Sequence, residues 1–314
     1  MKMSFKFFGF LAIMLLLFSV ENQAQHPEAK GGKIIRIENF PAQYVSPRNI
    51  DIWIPESYNR EKKYAVLYMH DGQMLFDSTN TWNKQEWGVD ETVSKLVSEN
   101  KIRDCIVVGI WNAGQNRHSE YFPGKALHML SKTELDSLVA GGSSANGKGF
   151  KIEKNHSDAY LKFLTRELKP FVDSTFSTLA GRENTFIAGS SMGGLISMYA
   201  ICEYPEVFGG AACMSTHWIG ISKQNYNPVP DAFLRYLEKN LPDPEDHKIY
   251  YDYGTETLDA AYEPHQLRVD EIMRKAGYDK DSWITRKFPG ADHSENAWKA
   301  RLHIPLVFLM GIKN

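Results

Sequence analysis

The sequence predicts an α/β chain built on a mostly parallel central sheet with helices on both faces. Short β-rich apolar runs alternate with longer stretches of helical spacing, and no repeat, Pro-rich linker or like-charge run divides the chain beyond Lys33. With 314 residues, 43% of them hydrophobic, there is ample material for one large core. Residues 34–37 and 50–54 open the sheet, the second run alternating apolar and polar and closed by Pro55. Residues 64–69 and 105–110 are apolar almost throughout, as strands covered on both faces must be. Helical spacing marks residues 90–99 and, more strongly, 158–172, where Tyr160, Leu161, Leu164, Leu168 and Phe171 recur on one side. A buried strand over 185–189 leads into a helix over 192–203. Strands over 249–253 and 283–285 follow, with a helix suggested over 266–273 and a last one from about Ser294. The Gly/Ser-rich piece 141–147 reads as a surface loop.

Residues 1–24 differ in kind. Lys2 and Lys6 precede an apolar run from Phe7 to Val20, and Ala24 offers a small residue for cleavage. This is the pattern of a secretory signal peptide, too short for a comfortable membrane span. Residues 25–314 are then a single exported domain, secreted or periplasmic, with no stable membrane insertion after cleavage. No cysteine follows the run to carry a lipid anchor. Thirty-six basic against 38 acidic residues leave a net charge of −2, which argues against a nucleic-acid partner. Cys105, Cys202 and Cys213 allow at most one disulfide and none sits in a CxxC, so no structural metal is expected.

The strongest chemical signal is Gly189-Ser190-Ser191-Met192-Gly193-Gly194, a G-x-S-x-G with Ser191 at its centre. A serine on a sharp strand-to-helix turn is strained, and Cβ atoms two residues to either side collide, so glycine is required at both places. The competing reading, a phosphate-binding or packing turn, lacks a P-loop lysine. A serine nucleophile needs a base held by a third group. Of the histidines beyond Ser191, His293 lies in a loop between the last strand and the last helix. His247, His265 and His303 read as structural. The acid should follow the preceding strand, where Glu256 and Asp259 both stand; Asp259 is favoured because its shorter side chain holds an imidazole more rigidly. Two backbone N–H groups must face the oxyanion: that of Met192, and that of Gln73 in a loop where Gly72 lets the chain turn. His70 and Asp71 have no third ligand at metal spacing and read as hydrogen-bonding residues.

Met69-His70-Asp71-Gly72-Gln73, Ala188 to Gly194, Tyr204-Pro205-Glu206-Val207-Phe208 and Gly290-Ala291-Asp292-His293-Ser294 together resemble the putative-esterase family of α/β-hydrolases. That family includes esterase D, feruloyl and acetylxylan esterases, enterochelin-type esterases and mycolyltransferases. The likeness runs from about Ile50 to Leu309 and implies Ser191 as nucleophile, His293 as base, and Met192 and Gln73 as oxyanion donors. Asn116 to Tyr121 resembles the family's Arg-x-x-Glu-Tyr segment, which implies Arg117, Glu120 and Tyr121 beside the substrate. Trp82, Trp87, Trp111, Phe122 and Trp218 add aromatic surface to the candidate pocket loops. The expectation is an exported serine ester hydrolase without cofactor, acting on acetyl or feruloyl esters of polysaccharide. A siderophore esterase, an acyltransferase and a catalytically silent binding module remain as alternatives.

Overall fold

The computed structural model describes residues 27–141, 155–221 and 227–312. The expected signal peptide and most of the Gly/Ser-rich loop lie outside the described residues. The strands are β1 (Gly32–Phe40), β2 (Arg48–Pro55), β3 (Ala65–His70), β4 (Cys105–Ile110), β5 (Thr185–Ser190), β6 (Gly210–Met214), β7 (Lys248–Gly254) and β8 (Trp283–Phe288). They form one sheet in the order β1-β2-β4-β3-β5-β6-β7-β8. β2 runs antiparallel to both β1 and β4, and every other neighbouring pair is parallel.

The helices are α1 (Val89–Ser98), α2 (Arg117–Tyr121), α3 (Lys132–Gly141), α4 (Ser157–Phe163), α5 (Lys169–Thr175), α6 (Met192–Glu203), α7 (Val229–Asn240), α8 (Glu263–Lys275), α9 (Glu295–Arg301) and α10 (His303–Met310). Side chains alternate along each central strand and so feed two cores. Leu67, Met69, Val107, Ala188 and Met214 pack with α1, α9 and α10 on one face. Val66, Tyr68, Ile106, Val108, Ile187 and Cys213 pack with α4 to α8 on the other. All three cysteines are buried free thiols. The α/β-hydrolase expectation therefore holds in strand order and in layering.

Three differences from the sequence reading have physical causes. The helix expected over 158–172 is two helices, α4 and α5, joined by a π-helical turn over Leu164–Leu168. Pro170, in the first turn of α5, has no N–H to give and crowds the carbonyl one turn back, so the regular ladder cannot run through. β6 has no strand signature because Gly210-Ala211-Ala212-Cys213-Met214 is made of small, weakly β-forming residues. Crowding explains it: a Cβ on Gly210 would stand 2.8 Å from Leu309 and 3.0 Å from Phe186. Gly72 also serves differently from its expected role. Asp71 takes the left-handed conformation (φ 57°), while a Cβ on Gly72 would come within 2.5 Å of the Gly109 backbone in β4. Gly72→Ala is therefore expected to cost about 1–3 kcal/mol by overpacking against immovable backbone. A urea midpoint equal to wild type would contradict this contact.

Candidate active site

The C-terminal ends of β5, β6, β7 and β8 converge on one place, as ligand sites in parallel α/β sheets do. Ser191, between β5 and α6, has φ 56° and ψ −120°, a conformation costly for a residue with a Cβ. Backbone bonds hold it there: its N–H donates to the Met214 carbonyl at 2.9 Å, and its own carbonyl accepts from Leu195 and His217, each at 3.1 Å. The first of the flanking glycines acts as the sequence argument requires, since a Cβ on Gly189 would lie 2.8 Å from the Gly193 carbonyl carbon, whereas Gly193 is only closely packed. A Cβ on Gly193 would sit 3.3 Å from His70 Cβ and 3.4 Å from Asp71 Oδ2. The loop carrying Gln73 is thus pressed against the start of α6, beside Met192. Neither the Met192 nor the Gln73 N–H has a protein acceptor among the described residues.

Asp259, fully buried, meets the His293 ring through Oδ1 and Nδ1 at 2.5 Å. Its other oxygen accepts from the Gly254 N–H at 2.6 Å and from Ser215 Oγ at 2.5 Å. Ser215 Oγ in turn receives Trp298 Nε1 at 2.9 Å and an Arg301 guanidinium nitrogen at 2.8 Å. Both of those groups can only donate, so the single Ser215 hydrogen must go to Asp259. Behind them Arg301 pairs with Asp252 at 3.1 Å, and Tyr250 donates to the same carboxylate at 3.0 Å. Burial pushes the Asp252 carboxyl up, against the pull of Arg301. Glu256 is exposed, with its backbone N–H on the Ala291 carbonyl, and lies outside this network.

Two groups that the sequence reading left without a role complete the centre. Tyr262 is fully buried, with its hydroxyl 2.7 Å from His217 Nδ1. Its ring stands edge-on to His293, 5.9 Å between centroids. Burial, reinforced by His293, His118 and Arg117, pulls the His217 imidazole down to about 4. The Asp-x-x-Tyr spacing from Asp259 to Tyr262 was a usable signal, because one tight turn brings both to the same end of β7. Ser215 and His217 were hidden because β6 itself was not recognised.

The expected pocket residues divide. Arg117 stays partly exposed but is clamped on Asp71 at 2.6 and 2.8 Å. Glu120 is buried in a two-pronged pair with Arg48 at 2.7 and 2.8 Å, and Tyr121 is fully buried with its hydroxyl on the Asp71 N–H. Neither presents surface to a substrate. Trp111 donates to Asp51 at 2.8 Å and lines a cleft of about 240 Å³ with Gln73. A cleft of about 580 Å³ is lined by the loop before His293 and by α9, with Asn296 and Arg301 among its walls. Of the remaining aromatics Trp87, Phe122 and Trp218 are core, whereas Trp82 is 83% exposed. His70 is structural, as expected: its Nδ1 meets the Tyr160 hydroxyl at 2.8 Å, and burial pulls it down to about 3.

The strained serine turn and the buried carboxylate–imidazole pair lie at the strand ends of an α/β-hydrolase fold. A family model described as Putative esterase matches residues 43–308, and the chain belongs to that family. It is 23% identical over 173 residues to the uncharacterized protein YbbA of Bacillus subtilis, spanning 54% of this chain and 58% of that protein. It is also 23% identical over 216 residues to an endo-1,4-beta-xylanase/feruloyl esterase of Xylanibacter ruminicola, covering 65% of this chain but 23% of that one. Among solved structures, the ferulic acid esterase of Anaeromyces mucronatus superposes with a TM-score of 0.57 at 17% identity, over 92% of this chain and 94% of that one. The enterobactin esterase of Shigella flexneri gives 0.64 at 16% identity, over 90% and 60%.

Two outcomes follow from the buried groups. Arg301→Met leaves Asp252 buried without its partner and should destabilise the fold by about 3–5 kcal/mol; a loss under about 1 kcal/mol in denaturant unfolding would contradict the pairing. His70 and His217 both titrate below an unfolded histidine, so the stability tied to their neutral forms is complete above about pH 6.5. It is lost as pH falls towards their folded values, by about 1.4 kcal/mol per pH unit for each proton taken up on unfolding. Urea unfolding at pH 7.5 and 5 should show this slope, reduced by one proton in His70→Asn. Equal stability at the two pH values would refute it.

Proposed function

We propose that the protein is an exported serine carboxylic-ester hydrolase acting on acetyl or feruloyl esters of polysaccharide. Ser191 attacks the ester carbonyl, His293 takes its proton and returns it to the leaving alcohol, and Asp259 fixes the imidazole. The N–H groups of Met192 and Gln73 receive the oxyanion, and water then releases the acid from the acyl-enzyme. The observation that carries this reading is the 2.5 Å contact between buried Asp259 and His293 beside the strained Ser191 turn. It also favours Asp259 over the exposed Glu256 as the acid. For substrate, the relatives named as feruloyl or ferulic acid esterases supply the support, together with the exposed Trp82 and partly buried Trp111, since aromatic faces stack on sugars and phenolic rings. A ferric siderophore ester is anionic and calls for uncommitted cations. Arg117 is paired with Asp71, Lys125 with Glu203, and Lys84 donates to the Thr79 carbonyl, which disfavours that alternative.

Ser191→Ala should abolish fluorophosphonate labelling and lower ester turnover by about 10⁴-fold or more. Label retained on that variant would move the nucleophile, with Ser190 the first suspect. Asp259→Asn should lower turnover by about 10⁴-fold through loss of the correct tautomer, and Glu256→Gln by less than about tenfold. The reverse ranking would transfer the acid's role. Acetyl, feruloyl and lactone esters assayed side by side, with product masses followed across a sugar-acceptor series, decide substrate and reaction together. Acylated sugar as the main product would overturn hydrolysis.

A further inference from the structure

We propose that Asn112, in the loop after β4, is a positioning residue that aims the Gln73 N–H at the oxyanion. The inference rests on the reading of Ser191 as nucleophile and Gln73 as oxyanion donor, and deepens it. A donor of this kind is effective only if it is fixed before the charge develops. Gln73 lies in a turn closed by the Met74 N–H on the Asp71 carbonyl at 2.8 Å. Asp71 enters that turn at φ 57°, a left-handed conformation that a residue with a Cβ keeps only when its surroundings hold it there. Asn112 grips the turn on both sides of Gly72. Its Nδ2 donates to Asp71 Oδ1 at 2.7 Å, and its backbone N–H donates to the Gln73 side-chain Oε1 at 3.2 Å.

The partners of Asn112 also fix which way its amide points. The Asp71 carboxylate, ion-paired with Arg117, can only accept, so it must face the NH2 group. The Gly114 N–H can only donate, and it meets Asn112 Oδ1 at 2.9 Å. Exchanging the amide oxygen and nitrogen would break both bonds at once. Arg117, at the start of α2, holds the same carboxylate at 2.6 and 2.8 Å, so Asp71 is gripped from two elements. Below the turn β4 leaves no room for adjustment, because a Cβ on Gly72 would already stand 2.5 Å from the Gly109 carbonyl carbon and 2.7 Å from the Ile110 nitrogen. The loop that carries Asn112 continues directly from those β4 residues, so strand and loop together set where Gln73 sits. Asn112 touches no reacting atom and moves no proton. Its effect on the reaction passes through the placement of the Gln73 backbone.

The test is Asn112→Ala in the mature protein, assayed with a p-nitrophenyl ester and with phenylboronic acid, whose tetrahedral adduct on Ser191 mimics the oxyanion. Misplacing a donor that acts only on developing charge predicts a fall in kcat of at least about tenfold, with KM within about twofold of wild type. The inhibition constant of the boronic acid should rise in proportion to the loss of kcat/KM. Asn112→Asp keeps the size of the side chain but loses the donor and sets a like charge against Asp71, so it should be at least as slow. It is read by the same criteria where Asn112→Ala does not fold. Wild-type kcat and boronic acid affinity in these variants would overturn the proposal. So would a loss confined to KM, or one explained by a lowered melting temperature while kcat per folded molecule is unchanged. Ser191→Ala measured alongside separates the two readings: turnover surviving in that variant overturns the nucleophile itself, whereas a silent Ser191→Ala beside a fully active Asn112→Ala overturns only the role of Asn112.

Discussion

The backbone of Ser191 is the constraint on which the rest of the site depends. A side chain held at φ 56° costs about 1–3 kcal/mol, so the surroundings must over-determine it. They do so from three directions. Gly189 and Gly193 clear the space inside the turn, Met214 at the end of β6 takes the Ser191 N–H, and His217 just beyond β6 donates to the Ser191 carbonyl. This explains why β6 is built of small residues. It must lie close beside β5 and under α6, where a Cβ on Gly194 would already stand 3.0 Å from the Met214 carbonyl oxygen.

The buried carboxylate beyond β7 obeys a different rule. Asp259 is wholly inside the protein, and a buried carboxylate survives only with its lone pairs engaged. His293, Ser215 and Gly254 engage them, and Arg301 supplies positive charge 3.9 Å away through its guanidinium. Arg301 is itself neutralised by Asp252, so the network extends from solvent at the His293 edge into the sheet. Its members come from β6, β7, the loop after β8 and α9. Misplacing any one of these elements tilts the imidazole.

Much of this was legible in the sequence because local chemistry dictated it. The buried runs of β3 and β4 are apolar at nearly every position, and the first glycine of the Gly-x-Ser-x-Gly is a steric demand, since a Cβ on Gly189 would lie 2.8 Å from the Gly193 backbone. Asp259 and His293 could be placed because each sits in the short loop after a readable strand. What escaped depended on neighbours distant in sequence. β6 carries no β signature, so Ser215 and His217 had no scaffold to stand on. Arg301 and Trp298 read as ordinary helix residues until α9 packs over the sheet. Glu120 and Tyr121 were placed at the pocket from a motif, but Arg48 lies 72 residues before Glu120 and only the fold shows that it draws that carboxylate inward.

Trapping the acyl-enzyme tests the central claim most directly. The mature protein is mixed with an activated feruloyl or acetyl ester, quenched in acid within the first turnovers, and digested for peptide mass mapping. The account predicts one acyl group per protein, carried on Ser191, that disappears with continued incubation in water. Acyl transfer to any other residue, or steady turnover through a quench that never captures an adduct even in Asp259→Asn, would contradict it.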